Sequence, residues 1–172
     1  MSIEITNTQL EDLDAACQIF DDAIAYQKRK GYPQYRSNDR KGVKQAIAEQ
    51  LHYKLLVDGN LACVFNIVYN DKPIWRDKDA DDAIFLHRVI TAQEYKGKRL
   101  FGHIMKWAVD LAKSKKRPYL RMDTWDDNPN LVNYYKTFGF KVVEHFVAPY
   151  DPMVSPNCWG NKVVLLEYKI TE

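Results

Sequence analysis

Lys96-Gly97-Lys98-Arg99 places three cations in four residues, directly ahead of an apolar-periodic run that opens at Leu100. The start of a helix presents unpaired N–H groups and the positive end of the helix dipole, so it suits an anion. Lysines at that end oppose the dipole, and a phosphate-like group in the turn would account for them. A solvated basic turn is the competing reading of the same residues. Gly97 and Gly102 have the glycine spacing of a nucleotide P-loop, but His103-Ile104 stands where that loop needs a lysine and a hydroxyl residue. That chemistry is excluded. A second reactive group is His87, a side chain that titrates near neutral pH inside an otherwise apolar run, AIFLHRVIT. A hydrogen-bonded structural histidine is its bland alternative. His52, His103 and His145 show no ligand spacing, so no metal is expected.

The elements that must position these residues follow from hydrophobic period and turn chemistry. Ser2–Ile5 reads as a first strand, and Thr8-x-x-Glu11 fits a capping box. Leu13, Cys17, Phe20 and Ile24 then mark one face of a helix that fades at Lys30-Gly31-Tyr32-Pro33. Ser37-Asn38-Asp39 offers a cap for a second helix carrying Val43, Ile47 and Leu51. Asp58-Gly59-Asn60 between apolar runs predicts a hairpin. Asp71–Asp82 reads as a loop and Ala83–Thr91 as a strand. The long helix runs from about Arg99 to Lys115, with Leu100, Ile104, Ala108 and Leu111 inward beside Phe101, Met105 and Ala112. A strand (PYLRMDTW), a helix capped by Asp127 or Asn128 with Pro129 in its first turn, and two closing strands complete the chain. The strand–helix–strand middle demands a parallel, right-handed crossover. The fold class is therefore α/β, a mixed sheet flanked by helices.

Composition bounds the function. The chain has 172 residues, enough for one domain spanning 1–172 with its own core. Twenty-five basic against 23 acidic side chains give a charge of +2, too even to argue for nucleic acid or an anionic membrane. Lys113-x-Lys115-Lys116-Arg117 reads as cations favoured at a helix C-terminus. Cys17, Cys63 and Cys158 are odd in number and widely spaced, which points to neither a disulfide framework nor a zinc motif. Without a signal-like or membrane-spanning run, the expected location is a reducing cytoplasm.

TAQEYKGKRLFGHIMKWAVDLAK followed by RPYLRMDTWDDNPNLVNYYKTFGF resembles the GNAT superfamily of N-acetyltransferases. The resemblance implies a mostly antiparallel mixed sheet of about six to seven strands with a parallel central strand–helix–strand unit, and acetyl-CoA as the acetyl donor. The family pattern Asn-x-x-apolar-x-x-x-Tyr-x-x-x-Gly-Phe falls on Asn128, Leu131, Tyr135, Gly139 and Phe140 without a gap. The family's turn, Arg/Gln-x-x-Gly-x-Gly/Ala, becomes Lys96-Gly97-Lys98-Arg99-Leu100-Phe101, so Arg99 and Phe101 replace small residues. A helical start needs no positive φ, which leaves the N–H groups able to face phosphate. Phe101 must turn away or pack underneath, and Gly102 restores some close approach.

What the resemblance implies for individual residues is specific. Val89, Ile90 and Thr91 hydrogen-bond the pantetheine, one N–H facing the thioester oxygen; Lys96 to Gly102 hold the diphosphate; Asn128 lies near the cofactor. Tyr135 protonates the leaving sulfur, with Tyr134 as competitor and a core aromatic as the plainer reading. His87 is the candidate base, sharing a strand face with Val89 and Thr91 opposite Arg88 and Ile90; Asp123 and Glu49 are alternatives, and Asp123 equally suits a salt bridge to Arg88 or Arg121. Tyr26, Gln27, Tyr35 and Trp125 flank an acceptor cleft suited to a small-molecule or peptide amine. Dimerisation is common in the family. An acyl-CoA sensor of the same fold is the alternative to an enzyme.

Overall fold

The computed structural model describes residues 1–33 and 35–171. Its strands are β1 (Ile3–Asn7), β2 (His52–Val57), β3 (Asn60–Val68), β4 (Ala83–Thr91), β5 (Tyr119–Trp125), β6 (Lys141–Val147) and β7 (Lys162–Lys169), hydrogen-bonded in the order β1-β2-β3-β4-β5-β7-β6. The helices are α1 (Leu13–Lys30), α2 (Arg40–Ala48), α3 (Lys72–Trp75), α4 (Phe101–Ser114) and α5 (Pro129–Lys136). β4 and β5 form the parallel pair through Ala83–Phe85 against Tyr119–Arg121. β5 and β6 each run antiparallel to β7. The second strand–helix–strand segment is thus parallel as expected, but the last strand lies between its two strands. No helix among the described residues is long and apolar enough to cross a membrane.

The chain forms two compact units, Met1–Ile67 with His87–Trp107, and Val68–Leu86 with Ala108–Glu172. In the first, the Asp58-Gly59 hairpin appears as expected: Val57 pairs with Asn60, and both turn residues have positive φ, 50° and 81°, as a two-residue primed turn requires. One face of α1 meets α2 through Leu13, Cys17, Val43 and Ile47. Ala16, Phe20 and Ala23 bury a neighbouring stripe against Val64, Ile90 and Ala92. Cys63 is fully buried, and that burial pushes its thiol up to about 12, which makes it an inert core residue.

The expected Thr8–Glu11 capping box is not the one formed. Thr8 is buried and shares a 2.7 Å hydrogen bond with His52 Nδ1, while the Gln9 N–H donates to Asp12 Oδ2 at 2.8 Å. The histidine draws the hydroxyl inward, and the cap moves one residue on. Burial, then the charge of Arg88, lowers His52 from 6.5 to about 4. Between those values the unfolded chain takes up a proton that the folded chain refuses. Stability is therefore fully present above pH 6.5 and drains away as the pH falls toward 4. We expect urea denaturation to show a loss of about 2 kcal/mol between pH 7 and pH 5 from this group. His52→Gln should flatten that slope; an identical slope in both proteins would contradict it.

In the second unit, Asp71–Asp82 is not a plain loop. It contains α3 and a 3₁₀ turn, Arg76–Lys78, because Ile74 and Trp75 anchor it in a core with Phe85, Ala148, Val154 and Leu165. Arg117, expected only as one of the cations favoured at a helix C-terminus, also ties segments together. Its Nη1 donates to the carbonyls of Tyr69 and Ala83 at 3.0 and 2.8 Å, and its Nη2 pairs with Asp81 at 2.7 Å. The long excursion between β6 and β7 is fastened by the Trp159 indole, which donates to Asp151 O and Val154 O.

Candidate active site

Two residues set the shape of the turn ahead of α4. Gly97 has φ 81° and Arg99 has φ 53°, both left-handed. The expectation that the helical start needs no positive φ is corrected at Arg99. A glycine would adopt that backbone freely, whereas a side chain adopts it at a cost of about 1 kcal/mol. This is the physical content of the small residue that the family pattern keeps there. The N–H groups of Gly102 and His103 bond back to Arg99 O and Leu100 O at 3.0 Å. Among the described residues, the N–H groups of Gly97 and Leu100 have no acceptor. Leu100 and Phe101 are buried, while Lys96, Lys98 and Arg99 are exposed. Gly97 and Leu100 thus offer donors, with cations around them, to a phosphate-bearing ligand.

Upstream, β4 is interrupted. Arg88 has φ 50°, which breaks the pleat, so the expected simple alternation of His87, Val89 and Thr91 against Arg88 and Ile90 does not carry across it. His87 and Val89 are half-buried on either side, Ile90 is buried at 6% exposure, and Thr91 donates weakly to Cys63 Sγ at 3.6 Å. Arg88 is held by Asp39, Nη2 to Oδ2 at 3.1 Å. The other oxygen of Asp39 accepts from the Gly42 N–H at 3.0 Å and caps α2. A Cβ on Gly42 would fall 2.2 Å from Asp39 Oδ2, so glycine leaves the space this double role needs. Asp39 was legible only as a cap; an aspartate with glycine three residues on was the available signal.

The end of α1 carries the first unit's remaining candidates. Tyr26 and Gln27 lie three and four residues past the buried Ala23, at the end of its inward stripe. The Lys96 ammonium sits over the Tyr26 ring, 3.1 Å from its centroid, with Tyr32 at 6.5 Å. This contact ties Tyr26 to the basic turn. Gln27 Oε1 is buried and has no donor among the described residues. Tyr35 packs on Phe20, centroids 4.8 Å apart. Glu49, an alternative base, is exposed at the end of α2 and accepts from Gln45.

In the second unit, Asn128 is the N-cap of α5, with Pro129 at its first position; its Oδ1 accepts from the Leu131 N–H at 3.3 Å. Its Nδ2 donors have no partner among the described residues. The buried residues of α5 are Val132 and Tyr135. Tyr135 is 6% exposed, its ring beside Tyr134 at 5.6 Å and edge-on to Phe140 at 6.4 Å. Asp123 and Trp125 are half-buried on β5, paired in register with Leu165 and Val163 of β7. Arg88 pairs with Asp39, and Arg121 pairs with Asp82 and Glu167.

A mixed sheet with one parallel pair, whose crossover helix opens on a donor-rich basic turn, defines the class of this protein. Residues 18–140 match the profile of the acetyltransferase (GNAT) family, and the chain belongs to that family. A curated relative, the uncharacterized N-acetyltransferase YesJ of Bacillus subtilis, is 24% identical over 71 residues, 41% of this chain. The match spans 39% of that relative's length. The fold is similar to a GNAT acetyltransferase from Listeria monocytogenes, with a TM-score of 0.77 at 19% identity over 97% of this chain and 94% of that one. It is also similar to the PaiA N-acetyltransferase of Thermoplasma acidophilum, solved in complex with coenzyme A, with a TM-score of 0.72 at 17% identity over 98% and 99% of the two chains.

Proposed function

We propose that this protein is an N-acetyltransferase that moves the acetyl group of acetyl-CoA directly to an amine of a small molecule or peptide, in a reducing cytoplasm. The observation that carries this reading is the turn ahead of α4, where Gly97 and Leu100 present N–H groups without acceptors beside exposed cations. Bound acetyl-CoA supplies an acetyl group activated as a thioester. Lys96, Gly97, Lys98, Arg99, Leu100 and Gly102 hold the diphosphate, with Phe101 packed beneath. Asn128 contributes its free Nδ2 donors. Main-chain N–H groups of Val89–Thr91 hold the pantetheine, and one of them stabilises negative charge on the carbonyl oxygen. His87 removes a proton from the acceptor ammonium, whose ordinary pKa is about 10.4. The new N–C bond forms as the C–S bond breaks, and the Tyr135 hydroxyl gives its proton to the departing sulfur, near ~8.5 in its ordinary state. Gln27 and Tyr35, with Asp123 and Trp125, address the acceptor; the buried Gln27 Oε1 suits an N–H donor.

The second reading is a sensor that binds an acyl-CoA without turning it over. The left-handed Arg99, in the place of a small residue, favours it. Thiol release from acetyl-CoA, followed with a panel of amines and with mass spectrometry of the products, separates the two. Amine-dependent release with an acetylated product supports transfer. Tight binding with slow hydrolysis alone would overturn it in favour of the sensor.

A further inference from the structure

Within β4 the positive φ falls on Arg88, at 50°. That backbone is uncommon for any residue with a side chain. Arginine also lacks the short polar group that lets asparagine or aspartate adopt it through a local hydrogen bond. A strained backbone persists where its surroundings hold it. The holder here is Asp39. Its Oδ2 accepts from Arg88 Nη2 at 3.1 Å, and the two side chains are only 23% (Arg88) and 37% (Asp39) exposed, so salt and water screen the pair incompletely. Asp39 is itself fixed in place. Its Oδ1 accepts from the Gly42 N–H at 3.0 Å, and its carbonyl accepts from the Val43 N–H at 2.9 Å. The helix it caps, α2, is seated on α1 through Val43 and Ile47. The pair therefore fastens the break in β4 to a rigid point 49 residues away in the chain.

We infer that the Arg88–Asp39 pair is a latch that holds β4 in its left-handed break, which makes Arg88 and Asp39 positioning residues for the transfer reaction. The inference rests on the transferase reading above. That reading places the base, His87, immediately before the break and the main-chain donors, Val89–Thr91, immediately after it. Rotation about the Arg88 backbone sets how the one faces the other. A regular strand would put the side chains of His87 and Val89 on one face, and the left-handed residue replaces that arrangement. Without the latch, an extended backbone becomes the favoured state at this position, and the base and the donors lose their mutual register. Neither Arg88 nor Asp39 has to touch acceptor or cofactor to do this. The Ala92 N–H is bonded to Ala62 O at 2.9 Å, so the chain beyond β4, with its diphosphate turn, keeps its place when the break relaxes. The latch thus bears on turnover rather than on cofactor affinity.

Steady-state kinetics with an amine acceptor, beside calorimetric titration of acetyl-CoA, tests the latch on three variants. Arg88→Ala removes the pair but keeps a side chain that resists positive φ. Its turnover number should fall about tenfold, the shift that an unsupported left-handed residue implies, with acetyl-CoA affinity near that of the wild-type protein. Asp39→Asn keeps a good cap on α2 and removes the charge that holds Arg88, so turnover should fall in the same direction. Arg88→Gly loses the same pair, yet glycine adopts positive φ freely; its turnover should return to within about threefold of wild type. An ion pair that only stabilised the fold would give the opposite order, because glycine also loosens the unfolded chain. Arg88→Gly as slow as Arg88→Ala, with both folded by circular dichroism, would overturn the inference. Wild-type turnover in Arg88→Ala or in Asp39→Asn would do so too. Wild-type protein without amine-dependent thiol release would overturn the transferase reading itself, and this inference with it.

Discussion

Tyr135→Phe is expected to lower the turnover number by about a hundredfold while the affinity for acetyl-CoA stays close to that of the wild-type protein. The substitution removes one oxygen and keeps the ring. Its packing beside Tyr134 and Phe140, and its burial at 6% exposure, are retained. What is lost is a proton donor for the departing sulfur, and a positioned general acid contributes on the order of 10²–10⁴ in rate. A thiol with an ordinary pKa of about 8.5 is a tolerable leaving group at higher pH. The deficit should therefore shrink as the assay is made more alkaline, a change that loss of packing would not produce. Tyr134→Phe is the control: the account expects near-normal turnover there. Equal losses of turnover and cofactor affinity in Tyr135→Phe would reduce Tyr135 to a core aromatic and contradict the assignment.

The largest expected effect on stability lies at Arg121. This side chain is 5% exposed. Its Nε donates to Glu167 Oε2 at 2.8 Å, and its Nη1 donates to Asp82 Oδ1 and to Lys78 O, both at 2.9 Å. The guanidinium also lies 5.0 Å from the Trp75 ring centroid and 4.9 Å from that of Tyr119. It thus joins β5, the strand β7 opposite it, and the segment leading into β4. Arg121→Met keeps the apolar stem but strands two half-buried carboxylates and a carbonyl. Removing one partner of a buried pair costs about 3–5 kcal/mol; since both acids keep some contact with water, we expect about 3 kcal/mol. Urea denaturation should show it as a lower midpoint with unchanged slope. Arg121→Lys should recover only part of the loss, because an ammonium cannot span both carboxylates as the planar guanidinium does. A loss below about 1 kcal/mol for Arg121→Met would place this network with ordinary surface ion pairs.

Much of the fold was legible because certain residues leave few alternatives. Asp58-Gly59 between apolar runs admits a two-residue primed turn, and the structure has it. The β4–α4–β5 crossover followed from the change of period on either side of Lys96, and Asn128-Pro129 marked the start of α5. The order of the last strands was not legible. β6 and β7 both alternate, and nothing in either sequence states which neighbour its backbone will bond; β7 lies between β5 and β6. The α3 segment was hidden because Ile74 and Trp75 are two anchors within a charged stretch, too few to register as a period.

The candidate site divides in the same way. The turn could be read from its charges, and the Asn128–Tyr135 spacing from the family pattern. The left-handed backbones of Arg88 and Arg99 could not, since neither residue type announces positive φ. The contact of Lys96 with Tyr26 joins residues 70 positions apart in the chain, and only the folded α1 brings them together. The double role of Asp39, cap of α2 and partner of Arg88, likewise depends on a tertiary contact. Long-range pairing of this kind leaves no local signature.

The central claim, that the basic turn ahead of α4 holds acetyl-CoA, is tested most directly by calorimetric titration of acetyl-CoA into the wild-type protein and into the double variant Lys96→Glu, Lys98→Glu. The account predicts measurable wild-type binding and a loss of at least about tenfold in the variant, since two attractive charges become repulsive ones beside a phosphate. Affinity unchanged in the variant, with its fold intact, would show that the cofactor is held elsewhere.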